Sequence, residues 1–486
     1  MAAIITEKFR IHNAKQFKED FGESASSSYI FIGRPYPWAD DTSPPSPANA
    51  VGEEIDSYSD MLALKKVGSS DVSHGLTRYD YDITGSTKYD EYAHDYSASN
   101  TSPATSSNNL YDSRFFVITD EYHVYKCIRT GRNSSGVVVN STVQPTGTSA
   151  TALVETSDTD AATGRGYIWK YMYTVSASET IKFVTNDFIP VKTIGAQTEI
   201  DGTSGALGTA ASDDGTSQWD VENSAVDGGL HHVVVTAGGS GYTDGTYTSV
   251  AIDGDGSGGV CTVVVASGAI SYVNITTAGT GYKRASIDIA NISGIGSGSG
   301  GVAKPIISPL IGHGADPIQE LGGNYVIVNS RLEFGEGSGD FPTDNDFRRI
   351  GLLQDPFNVG TTTVSTSPTL AAYHKMTLSS VVGLSVDDII LNANSDGSGV
   401  AVSRVISITG NVVSHIPQAN SEGGYVNFVS SNTVYVGGTT IGTISAVDAN
   451  FPEVEKYSGQ VMYVENRGAV TRAADQIEDI KLIIEM

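Results

Sequence analysis

Apolar residues along this chain recur mostly at every second position, in short runs broken by turn residues, and that pattern predicts strands. The end of the chain shows it well. Ile480, Leu482, Ile484 and Met486 fall on one side of an alternation and Asp479, Lys481 and Glu485 on the other, with Ile483 the exception. This is the period of a strand with one buried face. A terminal strand frays unless a neighbour holds it, so the C-terminus is expected to rejoin a sheet begun earlier. Gln460 to Val464 has the same character, and Glu465-Asn466-Arg467-Gly468 is the predicted turn between the two.

The N-terminal third reads similarly. Ile4 to Ile11 predicts an opening strand, and Asn13 the cap of a short helix carrying Phe17 and Phe21 on one face. Tyr29-Ile-Phe-Ile-Gly33 is a near-continuous apolar run, the mark of a buried strand. It must stop at Arg34-Pro-Tyr-Pro-Trp38, because proline cannot donate to a ladder. Thr42 to Pro47 is loop. Val51 to Lys66 predicts a helix, ending on Lys65, Lys66 and Gly68. Ser69 to Ser113, polar and rich in tyrosine, has no period and predicts long surface loops. Phe115 to Ile128 predicts a hairpin turning at Asp120-Glu121. From Gly166 to Val175 the residues Tyr167, Trp169, Tyr171, Tyr173 and Val175 share a face, which favours sheet packing over a ligand platform.

Two stretches stand apart. In residues 195–317, Thr236-Ala-Gly-Gly-Ser-Gly-Tyr242 recurs as Thr277-Ala-Gly-Thr-Gly-Tyr282, and Gly254-Asp-Gly-Ser-Gly-Gly-Val260 as Gly296-Ser-Gly-Ser-Gly-Gly-Val302. Strands such as His232 to Thr236 and Cys261 to Val265 lie between, so each unit is strand and glycine turn, repeated. Two copies are few for a solenoid, and a small self-contained β module is expected. In residues 359–450, Met376 to Leu378, Asp388 to Leu391, Val400 to Ile408, Tyr425 to Val429 and Asn432 to Val436 predict short strands of a small barrel or sandwich.

Composition narrows the function classes. The 486 residues suggest about three domains. With 29 Lys plus Arg against 55 Asp plus Glu, a net charge of −26, the chain is a poor binder of nucleic-acid phosphates and of anionic membrane surfaces. Its 54 glycines and 24 tyrosines suit a turn-rich β protein. Cys127 and Cys261 give no disulfide framework and are expected as unlinked thiols. No signal peptide and no apolar run of about 18 residues is seen, so neither secretion by that route nor a membrane span is expected.

No residue set calls for catalysis, a cofactor or a metal. Gly254-Asp-Gly-Ser-Gly-Gly259 fits a phosphate-loop spacing, but a strand comes next where a helix should begin. Asp253 and Asp255 lack a bidentate acid at calcium-loop spacing and read as turn residues. His231 and His232 are adjacent, so a strand sends their rings to opposite faces.

Several short motifs fall in one order: Glu7-Lys-Phe-Arg10, Ile30 to Trp38, Thr77-Arg-Tyr79, Val124-Tyr-Lys-Cys127, Gly166 to Tyr171, Phe347 to Pro356, Ser458 to Arg467 and Asp475-Gln476. In that order the chain resembles the dimeric wedge subunit of the contractile-tail baseplate of T4-like bacteriophages. The resemblance covers residues 1–190, 316–358 and 451–486, and the two β-rich stretches depart from it. It implies a mainly β protein: a β-sandwich frame with a few short helices, formed by residues 1–194, 318–358 and 451–486. Modules 195–317 and 359–450 would be inserted into that frame. It also implies a structural, non-enzymatic virion protein, made in the host cytoplasm and placed in the tail baseplate. Its partners would be a second copy of itself and other wedge subunits. Candidate dimer residues are Arg34, Tyr36, Trp38, Tyr167, Trp169 and Tyr171, and Tyr463, Glu465, Asn466 and Arg467 are the family-like structural motif. The alternative is a receptor- or glycan-binding tail protein, prompted by the glycine-rich repeats and the tyrosines.

Overall fold

Strands dominate the computed structural model, as the alternation predicts. It describes residues 4–133, 136–156, 166–197, 211–333, 346–471 and 477–486, so the Asp475-Gln476 motif lies outside the described residues. The chain forms two units, Met1–Lys15 with Ser73–Val326 and Ile484–Met486, and Gln16–Val72 with Ile327–Ile483.

In the first unit a four-stranded sheet runs in the order Phe116–Ile118, His123–Arg129, Ile168–Thr174, Val154–Glu155, with Cys127 opposite Trp169 and Tyr125 opposite Tyr171. Both faces of its central strands are covered. Tyr167, Trp169 and Tyr171 pack with Tyr81, Tyr89, Tyr125 and Val221 on one side, while Tyr173 and Val175 join Ile11, Leu76, Phe115 and Leu321 in another cluster. The aromatic stripe is therefore split between two cores. Gly131 is required here, because a Cβ on it would come within 2.7 Å of the Tyr167 ring.

The glycine-rich module has its own core of Tyr242, Cys261, Val263, Ile270, Val273, Tyr282 and Ile295. Its duplication is visible atom by atom. The Tyr242 hydroxyl accepts from the Gly301 amide at 3.0 Å, and the Tyr282 hydroxyl from the Gly259 amide at 3.1 Å, so each copy's tyrosine grips the other copy's glycine turn. The backbone repeats too: φ is 67° at Gly239 and 65° at Gly279, and 75° at Gly258 and 76° at Gly300. Only glycine takes such values freely.

The second unit holds a five-stranded sheet in the order Thr369–Ala371, Met61–Val67, Ser28–Gly33, Phe347–Gln354, Gln460–Val470. Its core contains Tyr29, Phe31, Leu64 and Leu353. Just beyond Thr369–Ala371 a six-stranded barrel closes, in the order His374–Leu378, Val412–Gln418, Val402–Thr409, Ile389–Leu391, Thr433–Val436, Thr439–Val447. Met376, Ile390, Val405, Val413, Val434 and Ile444 fill it.

Several elements differ from expectation. Glu7–Asp20 is a helix, so Ile4 to Ile11 is no strand and Asn13 sits mid-helix. The acid in its first turn and the buried pair Ile11 and Ala14, three residues apart, outweigh the apolar run, although Phe17 and Phe21 do share a face, edge to face at 5.3 Å. The helix from Val51 stops at Asp60, and Met61–Val67 is a strand because both its faces are covered beside Ser28–Gly33. The polar 69–113 stretch contains the strand Val72–Thr77 and buries Tyr81, Tyr89 and Tyr92. There the acids serve the backbone: Asp90 accepts from the amides of Ala104, Thr105 and Arg114, and Asp82 from those of Thr84 and Ser86. Tyr425 to Val429 is coil that sends Phe428 into the barrel. Glu465 to Gly468 is no turn, since Gln460–Val470 runs through it as one strand.

Candidate functional site

Two motifs far apart in sequence meet in the second unit. At Arg34 the chain turns sharply, with φ of 57°, and its amide donates to the Asp60 carbonyl at 2.9 Å. This folds the Arg34 guanidinium back over the rings of Tyr36, at 4.3 Å, and Trp38, at 3.5 Å, and within 3.6 Å of the Asp60 carboxylate. Trp38 then donates its indole N–H to the Arg467 carbonyl at 3.0 Å, and Asn466 donates to the Pro45 carbonyl at 3.2 Å. Arg349 joins the two sides. Its guanidinium, 2% exposed, donates to Glu53 at 2.6 Å, Asn466 Oδ1 at 3.0 Å and Asp60 at 3.4 Å. Gly351, next in the same strand face, leaves room for the Phe31 ring, which a Cβ would approach to 2.3 Å.

The electrostatics derive from burial. Asp60 is raised above the usual carboxylate range by desolvation, against the opposing pull of Tyr36, Arg349 and Arg34. Burial also raises Tyr36 and lowers Arg34. Tyr463 is pushed up to about 12 by burial and by Glu465, to which its hydroxyl donates at 3.2 Å. The charges here are paired with one another, so the arrangement is a latch on the outer strand.

The other three candidate dimer residues lie elsewhere. Tyr167, Trp169 and Tyr171 are 0%, 0% and 2% exposed inside the first unit. Their rings are used up by internal packing: Trp169 stacks on Tyr167 at 5.7 Å and meets Tyr89 edge to face at 5.5 Å. The dimer expectation cannot rest on these side chains. Arg34, Tyr36 and Trp38 keep partial exposure.

Two buried charge clusters were missed in the sequence. Lys126 and Glu320, both almost fully buried, form an ion pair, and Glu320 also accepts from the amides of Gly314 at 2.7 Å and Asp316 at 3.2 Å. Burial lowers Lys126 and raises Glu320, and it lowers Lys170 to about 8 and His231 to about 4 nearby. In the second cluster burial pushes the Glu91 carboxyl up, but His232, Arg132 and Thr130 together outweigh it and hold the group low. The signal available was a lysine in the middle of the apolar run Val124 to Ile128; its acid lies 194 residues away. Cys127 and Cys261 are buried free thiols. No group of three or more metal-ligating side chains occurs among the described residues.

Residues 3–198 match the family described as Phage-Gp8, from bacteriophage T4 Gp8. The chain is also 26% identical over 211 residues to the baseplate wedge protein gp8 of Enterobacteria phage T4. That similarity covers 39% of this chain and 60% of the relative, so the chain spans less than two thirds of the relative's length. The Gp8-like segment contains Arg34, Tyr36, Trp38, Glu53, Asp60 and the buried Trp169 strand. Arg349, Asn466 and Arg467, which complete the latch, lie outside the family match.

Proposed function

We propose that this protein is a structural component of a phage tail baseplate wedge, located in the virion and acting through protein contacts. The observation that carries the reading is the Gp8 match over residues 3–198, together with similarity to a protein named for the baseplate wedge. The architecture suits it: the conspicuous charged groups are spent on internal pairs such as Lys126–Glu320 and Arg349–Glu53, which fix parts rather than transform a substrate. Other wedge subunits are its partners, and the wedge subunits rearrange as rigid bodies when the sheath contracts. Electron microscopy of tails assembled without this chain is the test. Tails lacking complete baseplates are expected, and intact baseplates would overturn the proposal.

The protein pairs with a second copy of itself, and exposed surface must make that contact. The surface favoured is the outer edge of Gln460–Val470, which has Phe347–Gln354 on one side only. Met462 is 45% exposed there and lines a groove of about 270 Å³ with Ala48, Ala50, Val461 and Val464, the carboxylates of Glu53 and Glu54 also bordering it. An open strand edge is a template for a like strand, and Trp38 and Asn466 limit it to the N-terminal half of the strand.

A further inference from the structure

The two copies in the glycine-rich module fold alike at their turns and diverge beyond the gripping tyrosine. After Tyr242 comes a full strand, Gly245–Ala251, at the outside of a three-stranded sheet. After Tyr282 the strand shrinks to Ala285–Ser286 and gives way to a helical turn, Ile289–Asn291. Between the long strand and residues 288–293 opens a groove of about 520 Å³, lined among others by Tyr247, Ser249, Asp253, Asp288, Asn291 and Ser293. The groove therefore sits where the duplication has been broken, on a scaffold fixed by the reciprocal tyrosine grips.

Its chemistry is specific. The Tyr247 hydroxyl is anchored between the carbonyl oxygens of Thr243, at 2.7 Å, and Gly294, at 3.1 Å. Glycines at 245 and 294 border the ring, where a Cβ would already be in contact at 3.6 and 3.8 Å. Asp288 accepts from the Asn291 amide at 2.6 Å, so an acid and an amide are held side by side while keeping further lone pairs and a second N–H. A fixed ring beside a paired carboxylate and amide, with flanking hydroxyls, matches a pyranose, which offers an apolar C–H face and vicinal hydroxyls. We propose that this groove binds a neutral saccharide.

Rival ligands fit less well. The lining contains no Lys or Arg and two carboxylates, which disfavours phosphates and acidic sugars on a chain of net charge −26. An added peptide strand would need a regular edge. Here the ladder shifts between Tyr247 and Val250, and Ser249 has φ of 61°, a bulge that interrupts pairing. The proposal stands independently of the baseplate reading.

The test is an array of neutral and acidic bacterial surface oligosaccharides probed with the full chain, then calorimetric titration of any oligosaccharide retained. Tyr247→Ala and Asp288→Ala, with thermal melts as fold controls, should each weaken a retained neutral oligosaccharide by about tenfold or more. Asp288 is exposed, so its variant decides alone should Tyr247→Ala lose its melt. Retention of no neutral glycan, retention of acidic glycans alone, or undiminished binding by a folded Asp288→Ala would each overturn the proposal.

Discussion

At the residue scale, the buried charges are where the molecule is most exposed to damage. Glu320→Gln keeps the shape but leaves Lys126 buried without its counter-charge, and the expected cost is about 3–5 kcal/mol in urea unfolding. Asp479→Ala removes the Arg331 pair, formed at 2.7 Å on the surface, and should cost about 1 kcal/mol or less. Equal costs would mean that Lys126 is not sealed from water. Histidines set a pH dependence in the barrel. His415 donates to or accepts from Ser403 at 2.9 Å, lies 5.6 Å from His374 and 5.5 Å from Phe428, and is lowered to about 3, chiefly by burial. His374 is lowered to about 4 for the same reason, and Lys456, lowered to about 8, stays charged below that pH. Both imidazoles are therefore held neutral in the fold, and protonation favours the unfolded chain. Their contribution is complete above the ordinary imidazole value of 6.5 and shrinks as pH falls from there towards 4. Melting temperature should drop across that window, and His415→Gln should flatten the drop. Beyond the odd lysine in the run Val124 to Ile128, none of this was legible in the sequence, because a lysine or histidine in an apolar run does not announce which distant segment will cover it.

At the element scale, the legible features were those that depend on neighbours in sequence. The hairpin Phe116–Ile118 with His123–Arg129, the buried strand Ser28–Gly33 and the glycine repeats all come from local alternation and turn chemistry. The errors fall where tertiary cover overrode the local pattern. Met61–Val67 reads as the end of a helix but is buried on both faces between two strands, and Glu465 to Gly468 reads as a turn but is held extended by pairing with Phe347–Gln354. The repeat glycines offer a sharp test. A Cβ at Gly239 would lie 2.4 Å from the Gly301 nitrogen, whereas one at Gly410, with φ of 60°, meets nothing within 4 Å. Gly410→Ala should cost about 1 kcal/mol from backbone strain alone, and Gly239→Ala several times that, measured by thermal melts. Similar losses from both would show that the module does not rely on its close glycine crossings. The terminal strand gives a companion case: Leu482 is 1% exposed, so Leu482→Asp should cost several kcal/mol.

At the scale of the whole molecule, the question is which parts can be separated and what brings copies together. The glycine-rich module begins and ends side by side, since Val233 pairs with Pro305. The wider segment 195–317 is not so separable, because Val221 packs against the Trp169 cluster and Glu222 accepts from the amides of Ile194 and Gly195. A short Gly-Ser linker in place of 234–304 should therefore leave a cooperative melt, closure entropy varying only slowly with loop length. That shortened chain also locates the dimer. Copies carrying −26 each repel, so a stable pair needs a largely uncharged contact on the order of 1,000 Å² or more in total. The edge at Gln460–Val470 lies outside the module, so full-length and shortened chains should both scatter light as dimers at micromolar concentration. Moderate salt should tighten them slightly by screening the repulsion. With the copies paired along this edge, Met462→Arg would bring a charge from each copy into the contact and should shift both chains to monomer while leaving their melts intact. A folded Met462→Arg variant that stays dimeric would move the contact away from this strand, and a wild-type chain that is monomeric at every salt concentration would remove the dimer from the baseplate proposal.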